Sequence, residues 1–175
     1  MSKRRRLILI ALASISFIVF FNLGAYSNIS KEDAEVISNQ FKDMVKDIDA
    51  LGIFANNLRI ALAMFIPALG VAIGLFSAYS TGLVFRALVE TTPALSNIPP
   101  ILVLATPFGV LEVISYGIAM SQSALLIHNI VIKKGLRVML IPTLILIGIV
   151  SILLLVGAYI EYYMMKMIEQ RASMI

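Results

Sequence analysis

Four long apolar stretches, separated by short polar ones, organise this chain. They run over about residues 7–26, 60–85, 101–127 and 138–160. Each is close to or above the roughly 20 residues an α-helix needs to cross the hydrocarbon core of a bilayer. The pattern predicts an all-α, polytopic membrane helical bundle of about four spanning segments, in a single membrane domain covering residues 1–175. The first stretch follows Lys3, Arg4, Arg5 and Arg6, a flank that predicts a cytoplasmic N-terminus. Ala25 and Ser27 would suit a signal-peptide cleavage site, but the apolar run from Leu7 to Leu23 is longer than the usual signal core of about 7–15 residues. A retained anchor is the expectation.

Between Ser30 and Gly52 the pattern changes. Six of the ten acids fall here, and Ala34, Ile37, Phe41, Met44, Val45, Ile48 and Leu51 recur at three-and-four spacing. That is an amphipathic extramembrane helix over about residues 31–51, with Ser30 as N-cap, Asp33 at the capping-box position and Gly52 as the stop. Its acidic face would be repelled by anionic lipid, so it is expected to fold over the outer end of the bundle, or else to dock a partner.

In the second stretch Gly70, Gly74, Ala78 and Gly82 recur at every fourth position. Such a face lets another helix come close, either of the same chain or of a second copy. Thr91 to Pro100 carries three prolines and a polar turn, which predicts a loop.

The third stretch holds the residue most in need of explanation. From Thr91 to Ile132 the one formal charge is Glu112. An ionisable group at the centre of a spanning helix costs about 2.5–3.5 kcal/mol on insertion scales, so it must face protein or water and find partners. On a helix Glu112 shares a face with Phe108, Gly109, Ser115, Tyr116, Ala119 and Ser123. Pro107 and Gly109, one turn upstream, predict that this segment is broken or re-entrant, with backbone groups that Glu112 would satisfy. Asn56, Asn57, Arg59, Arg86 and Tyr116 are the candidate polar partners, with Arg59 or Arg86 as the counter-ion. A functional reading, in which Glu112 carries protons or ions, competes with this structural one. It is weakened because a transport path usually recruits more than one intramembrane ionisable group. His128, beside Asn129 and Lys133, reads as a solvated loop residue.

Composition narrows the function classes. The chain is 60% hydrophobic and 14% charged, with a mean hydropathy of +0.97, whereas soluble domains carry about 25% charged residues. It has no Cys and one His, so no metal site, cofactor motif or hydrolase triad can be read from it. The net charge of +4 is explained by the membrane-flanking cations, and no nucleic-acid partner is expected. Tyr159, Tyr162 and Tyr163 form an interfacial belt at the end of the fourth stretch.

Two segments resemble the stage II sporulation protein M family of integral membrane proteins. One is Asn56-Asn57-Leu58-Arg59 leading through the glycine-rich stretch to Thr81-Gly82. The other is Pro107-Phe108-Gly109-Val110-Leu111-Glu112 and the small-residue helix after it. The similarity covers about residues 54–127, with Thr81 where the family pattern has Asn and Phe108 where it has His. The resemblance implies a non-enzymatic membrane scaffold or assembly factor, working with the lipid bilayer and with a homo-oligomeric or other membrane-protein partner. The alternatives are a small-solute or ion transporter using Glu112 at a broken helix, and an accessory subunit of a membrane-bound enzyme complex. If all four stretches cross once, the cations divide evenly between the two sides, so charge counting leaves the topology open.

Overall fold

The structure, a computed structural model, describes residues 3–133 and 137–172. Lys134 lies outside the described residues, as does the side chain of Arg137. Among the described residues there are seven α-helices, one 3-10 turn at Pro93–Leu95 and no strand. The helices are α1 (Lys3–Ala25), α2 (Lys31–Val45), α3 (Ala50–Met64), α4 (Gly70–Thr91), α5 (Pro100–Leu104), α6 (Pro107–Val131) and α7 (Arg137–Ala172). Four of them, α1, α4, α6 and the Val138–Ile168 part of α7, are long and apolar enough to cross a membrane. Their outer faces are apolar as well: Phe76, Val138 and Ile141 are each more than two-thirds exposed. Water would not favour such a surface and lipid does, so this is a membrane protein built as a helical bundle.

The second apolar stretch is not the continuous helix expected over 60–85. It is interrupted at Phe65–Leu69, where Pro67 removes a backbone donor and Ala68 adopts a left-handed conformation at φ 68°. The chain reverses there. Gly70 makes the reversal possible, because a Cβ on it would lie 1.8 Å from the Met64 carbonyl oxygen and 2.7 Å from Ser123 Oγ. Ser123 Oγ in turn donates to the Ile66 carbonyl at 2.6 Å, which also accepts from the Gly70 amide at 2.9 Å, so the turn is tied to α6.

The amphipathic helix expected over 31–51 is likewise two elements. α2 stops at Val45, Asp47 takes a left-handed conformation at φ 58°, and Asp49 caps a new helix by accepting from the Gly52 amide at 2.7 Å. Gly52 therefore lies in the first turn of α3 and is not a stop. The three-and-four spacing runs on across the join, which is why periodicity alone reads one helix. Ser30 caps α2 as expected, accepting from the Asp33 amide at 3.1 Å and donating to the Asp33 carboxylate at 2.7 Å. α2 is pinned to the bundle where Thr91 Oγ1 donates to Ser38 Oγ at 2.9 Å. Its acidic face stays exposed.

Contacts along the helices fix their directions. Arg6 of α1 meets Gln122 of α6, and Ser14 meets Val113, so α1 and α6 are antiparallel. Gln122 also meets Thr143 of α7, while Gly157 lies beside Leu111, which makes α7 antiparallel to α6. Asn57 of α3 meets Glu112 and Ile66 meets Ser123, so α3 runs with α6. α1, α4 and α7 thus point one way and α3 and α6 the other. The starts of α1, α4 and α7 share one end of the bundle, called here the basic end. The starts of α3 and α6, with α2 and α5, share the other.

The small-residue face of α4 is used entirely inside the chain. Gly70, Gly74, Ala78 and Gly82 are all buried. A Cβ on Gly74 would meet the Met120 side chain of α6 at 2.5 Å, and one on Gly82 would meet the Phe21 carbonyl of α1 at 2.0 Å. α1 reciprocates, since a Cβ on Gly24 would lie 2.0 Å from the Tyr79 carbonyl. In lipid, where apolar side chains gain little from leaving the solvent, close backbone approach of this kind supplies the packing energy. Phe17, Phe21, Ala61, Met64, Ala78, Tyr116, Ala119, Met120, Val150 and Leu154 complete the core around it.

Gly82→Ala is expected to lower stability by about 1–3 kcal/mol, because two backbones must move apart. Gly148→Ala, where a Cβ meets nothing within 4 Å, should raise it by about 0.5–1 kcal/mol through helix propensity alone. Thermal melts of the detergent-purified chain compare the two, and equal effects would contradict the packing role of the stripe.

Candidate functional site

The interruption expected near Pro107 is present, and its local chemistry is that of a helix start. α5 ends at Leu104 and α6 begins at Pro107, whose missing amide is harmless at the first helical position. Thr106 is the N-cap, its hydroxyl accepting from the Gly109 amide at 3.1 Å. The backbone group expected to fall to Glu112 is therefore satisfied by Thr106. Gly109 is needed for a different reason. A Cβ there would lie 2.5 Å from the Val103 carbonyl and 3.0 Å from Leu104 Cα, so only glycine lets α5 cross the first turn of α6.

This start aims the following turn inward. Gly109, Ser115, Tyr116, Ala119 and Ser123 are buried, as the helical face predicts, and Glu112 is partly buried among them. Its partner is Asn57, which donates from Nδ2 to Glu112 Oε1 at 2.8 Å. Neither expected cation pairs with it. Arg86 forms an ion pair with Glu90 one turn along α4, and its Nε is buried without a hydrogen-bond partner. Arg59 donates to Asn56 Oδ1 at 3.2 Å, and Asn56 Nδ2 donates to Asn57 Oδ1 at 3.5 Å. Arg59, Asn56, Asn57 and Glu112 thus form one relay in which each amide accepts on the cation side and donates on the carboxylate side. Bonds aligned in this sense polarise one another. The exposed guanidinium is connected to Glu112 through two amides, without the desolvation that a direct buried ion pair demands.

Glu112 opens on a cavity of about 340 Å³ to whose wall all seven helices contribute. Glu161 of α7 faces the same cavity. Glu161 lies just past the fourth apolar stretch, and α7 continues as helix to Ala172. Its inward direction has a signal in the sequence: Val150, Leu154 and Ala158 are buried and Glu161 follows them at the same three-and-four spacing. Tyr116, with 5% of its surface exposed, also lines the cavity, and its hydroxyl has no hydrogen-bond partner among the described residues. Phe17 packs on the Tyr116 ring at 5.2 Å, and Phe21, Phe85 and Phe108 line the cavity as well. Thr81 and Ser77 of α4 add hydroxyls, and the apolar face of α2, through Phe41, Met44 and Val45, forms the outer wall. The result is an apolar, largely aromatic enclosure with two carboxyls and a few polar groups converging on it, the usual make-up of a small-molecule site.

His128 is in the last turn of α6, exposed but helical, in place of the expected loop. Beside it lies a feature that sequence reading missed. Gln122, 1% exposed, accepts from Arg6 Nη2 at 3.2 Å and donates to Thr143 Oγ1 at 2.8 Å, joining α1, α6 and α7 at the basic end. No group of three or more potential metal ligands occurs among the described residues. Comparison of the chain with protein-family models, with curated proteins and with solved structures returns no match.

Asn57→Leu leaves Glu112 without its partner and is expected to cost about 1–3 kcal/mol, whereas Asn57→Leu with Glu112→Leu should recover most of that loss. Melting both variants in detergent tests the pair. A double variant no more stable than the single one would contradict it.

Proposed function

We propose that this chain is a multi-pass membrane protein that binds a small organic cation in the Glu112–Glu161 chamber, and so belongs to the transporter class and not to the enzymes. The observation that carries the reading is the second carboxyl. A lone intramembrane carboxyl is as easily structural as functional, but Glu112 and Glu161 reach one cavity from antiparallel helices. A cation between them offsets the cost of holding two carboxyls in an apolar enclosure. Rings at Phe17, Phe21, Phe85, Phe108 and Tyr116 line the chamber, aromatic rings attract an ammonium group, and the Tyr116 hydroxyl can accept from it. Of the residues that carry the resemblance to stage II sporulation protein M, Asn56, Asn57, Gly109 and Glu112 line this cavity, as do Thr81 and Phe108, where the chain departs from the family pattern; this favours a shared architecture around a site.

The orientation proposed is N-terminus cytoplasmic in the cell membrane. Lys3, Arg4, Arg5, Arg6 and Lys133 belong to the basic end, while the acids of α2 belong to the other. On this reading the α3–α4 hairpin dips from the outer side to the level of Arg6 and returns, α2 covers the chamber from outside, and α7 ends outside.

A scaffold or assembly role is the second reading, favoured by one observation: the exposed acidic face of α2, held to the bundle by Thr91 and Ser38. The glycine stripe does not add to it, because α1, α3 and α6 occupy that face.

Uptake of methylammonium into vesicles reconstituted with the chain separates the readings. Glu112→Gln and Glu161→Gln are each expected to lower uptake by about tenfold or more, the effect of losing roughly 1.4 kcal/mol of cation binding. Both should keep the melting behaviour of the parent. Uptake no greater than in empty vesicles, or uptake unchanged by both substitutions, would leave the scaffold reading in its place.

A further inference from the structure

The basic end holds a second cavity, of about 500 Å³, formed where the start of α1, the end of α6 and the start of α7 meet. Arg5, Arg6, His128 and Asn129 supply its polar wall, and Leu125, Val138, Met139 and Pro142 its apolar one. We propose that this cavity seats the headgroup of an anionic phospholipid, with the acyl chains running along α6 and α7.

Three observations support that occupant. The first is charge. Lys3 and Arg4 precede the two cavity arginines on α1 and Lys133 follows α6 at the same end, whereas the chain's ten acids fall on segments toward the opposite end. They sit on α2 and the turn after it, on the last turn of α4, in the second turn of α6 and in the second half of α7. Among the described residues, an anion here therefore meets cations without a competing carboxylate. The second is preorganisation. Arg6 is held by Gln122, which is itself fixed by Thr143, so its guanidinium is positioned by a buried amide and does not wave in solvent. That bond uses one of the several donors of a group well matched to phosphate oxygens. The third is the shape of the wall. From Val138 the exposed surface of α7 continues as Leu140, Ile141, Leu144 and Ile145, all exposed and apolar. A free phosphate gains nothing from that track, whereas a lipid covers it.

The test uses the full-length chain in a neutral detergent, with bound lipid counted by native mass spectrometry. Phosphatidylglycerol should bind at least about fivefold better than phosphatidylcholine with the same acyl chains, the preference expected from about one surface cation. Arg5→Gln, which leaves the Arg6–Gln122 bond intact, should reduce that preference, and Arg5→Gln with Arg6→Gln should abolish it. Lys42→Gln on α2 should leave it unchanged. If the double variant fails to fold, as judged by its melt, Leu125→Trp fills the cavity without removing a charge and should also abolish the preference. Inorganic phosphate at equal concentration should not compete. Equal binding of the two lipids, a preference that survives both the arginine and the Leu125 substitutions, or displacement by phosphate would each overturn the proposal. Because it does not depend on the chamber, Glu112→Gln should retain it, and loss of cation uptake alone leaves it standing.

Discussion

Close packing along one face of α4 sets the positions of nearly everything else. Lipid tails solvate Leu and Ile as well as a protein interior does, so the bundle cannot be driven together by burying them. It is held by surfaces that fit. On α4 these are Gly70 against the end of α3, Gly74 against Met120 of α6, and Gly82 against the backbone of α1. With three neighbours seated on one helix, the register of α6 follows, and with it the side on which Glu112 emerges. Tyr116, one turn beyond Glu112, is fixed by the same contact and packs on Phe17 from α1.

Polar groups then occupy the two ends of this frame in different ways. At the basic end, Arg6, Gln122 and Thr143 close a three-helix link in which the bridging amide is engaged at both its oxygen and its nitrogen. At the other end, Asn57 satisfies one carboxylate oxygen of Glu112, but the Tyr116 hydroxyl and Glu161 have no hydrogen-bond partner among the described residues. A polar group left without a partner beside a cavity has capacity for a ligand. The unpartnered Tyr116 hydroxyl and Glu161 carboxyl are the physical basis for the proposal that the chamber takes a ligand.

Much of this was legible in the residues. Hydropathy marked the apolar helices, the every-fourth-position pattern marked the packing face of α4, and Pro107, Gly109 and Glu112 marked the break beside the chamber. The reversal at Phe65–Leu69 was hidden because Pro67 sits in an unbroken apolar run, and proline is common in membrane helices. What makes it a turn is tertiary: Ser123 of α6 caps the Ile66 carbonyl, and Gly70 admits Met64. Glu112's partner was similarly hidden. Formal charge pointed to Arg59 and Arg86, but Arg86 meets Glu90 on its own helix, and Arg59 reaches Glu112 only through Asn56 and Asn57. Glu161 escaped notice because it lies past the apolar stretch, although its spacing from Ala158 and Leu154 places it on the buried face.

The chain turns back at Pro67, so that α2 and the 92–106 connection lie at one end of the bundle and the end of α6 at the other. Because the chain contains no cysteine, single cysteines introduced at Gln40, Asn97 and Asn129 report sidedness directly through an impermeant thiol reagent applied to intact cells and to inverted vesicles. The account predicts that Gln40→Cys and Asn97→Cys are labelled from the same side, and Asn129→Cys from the opposite one. Labelling of Gln40→Cys and Asn97→Cys from opposite sides would mean that residues 60–85 cross once as a continuous span, and would contradict it.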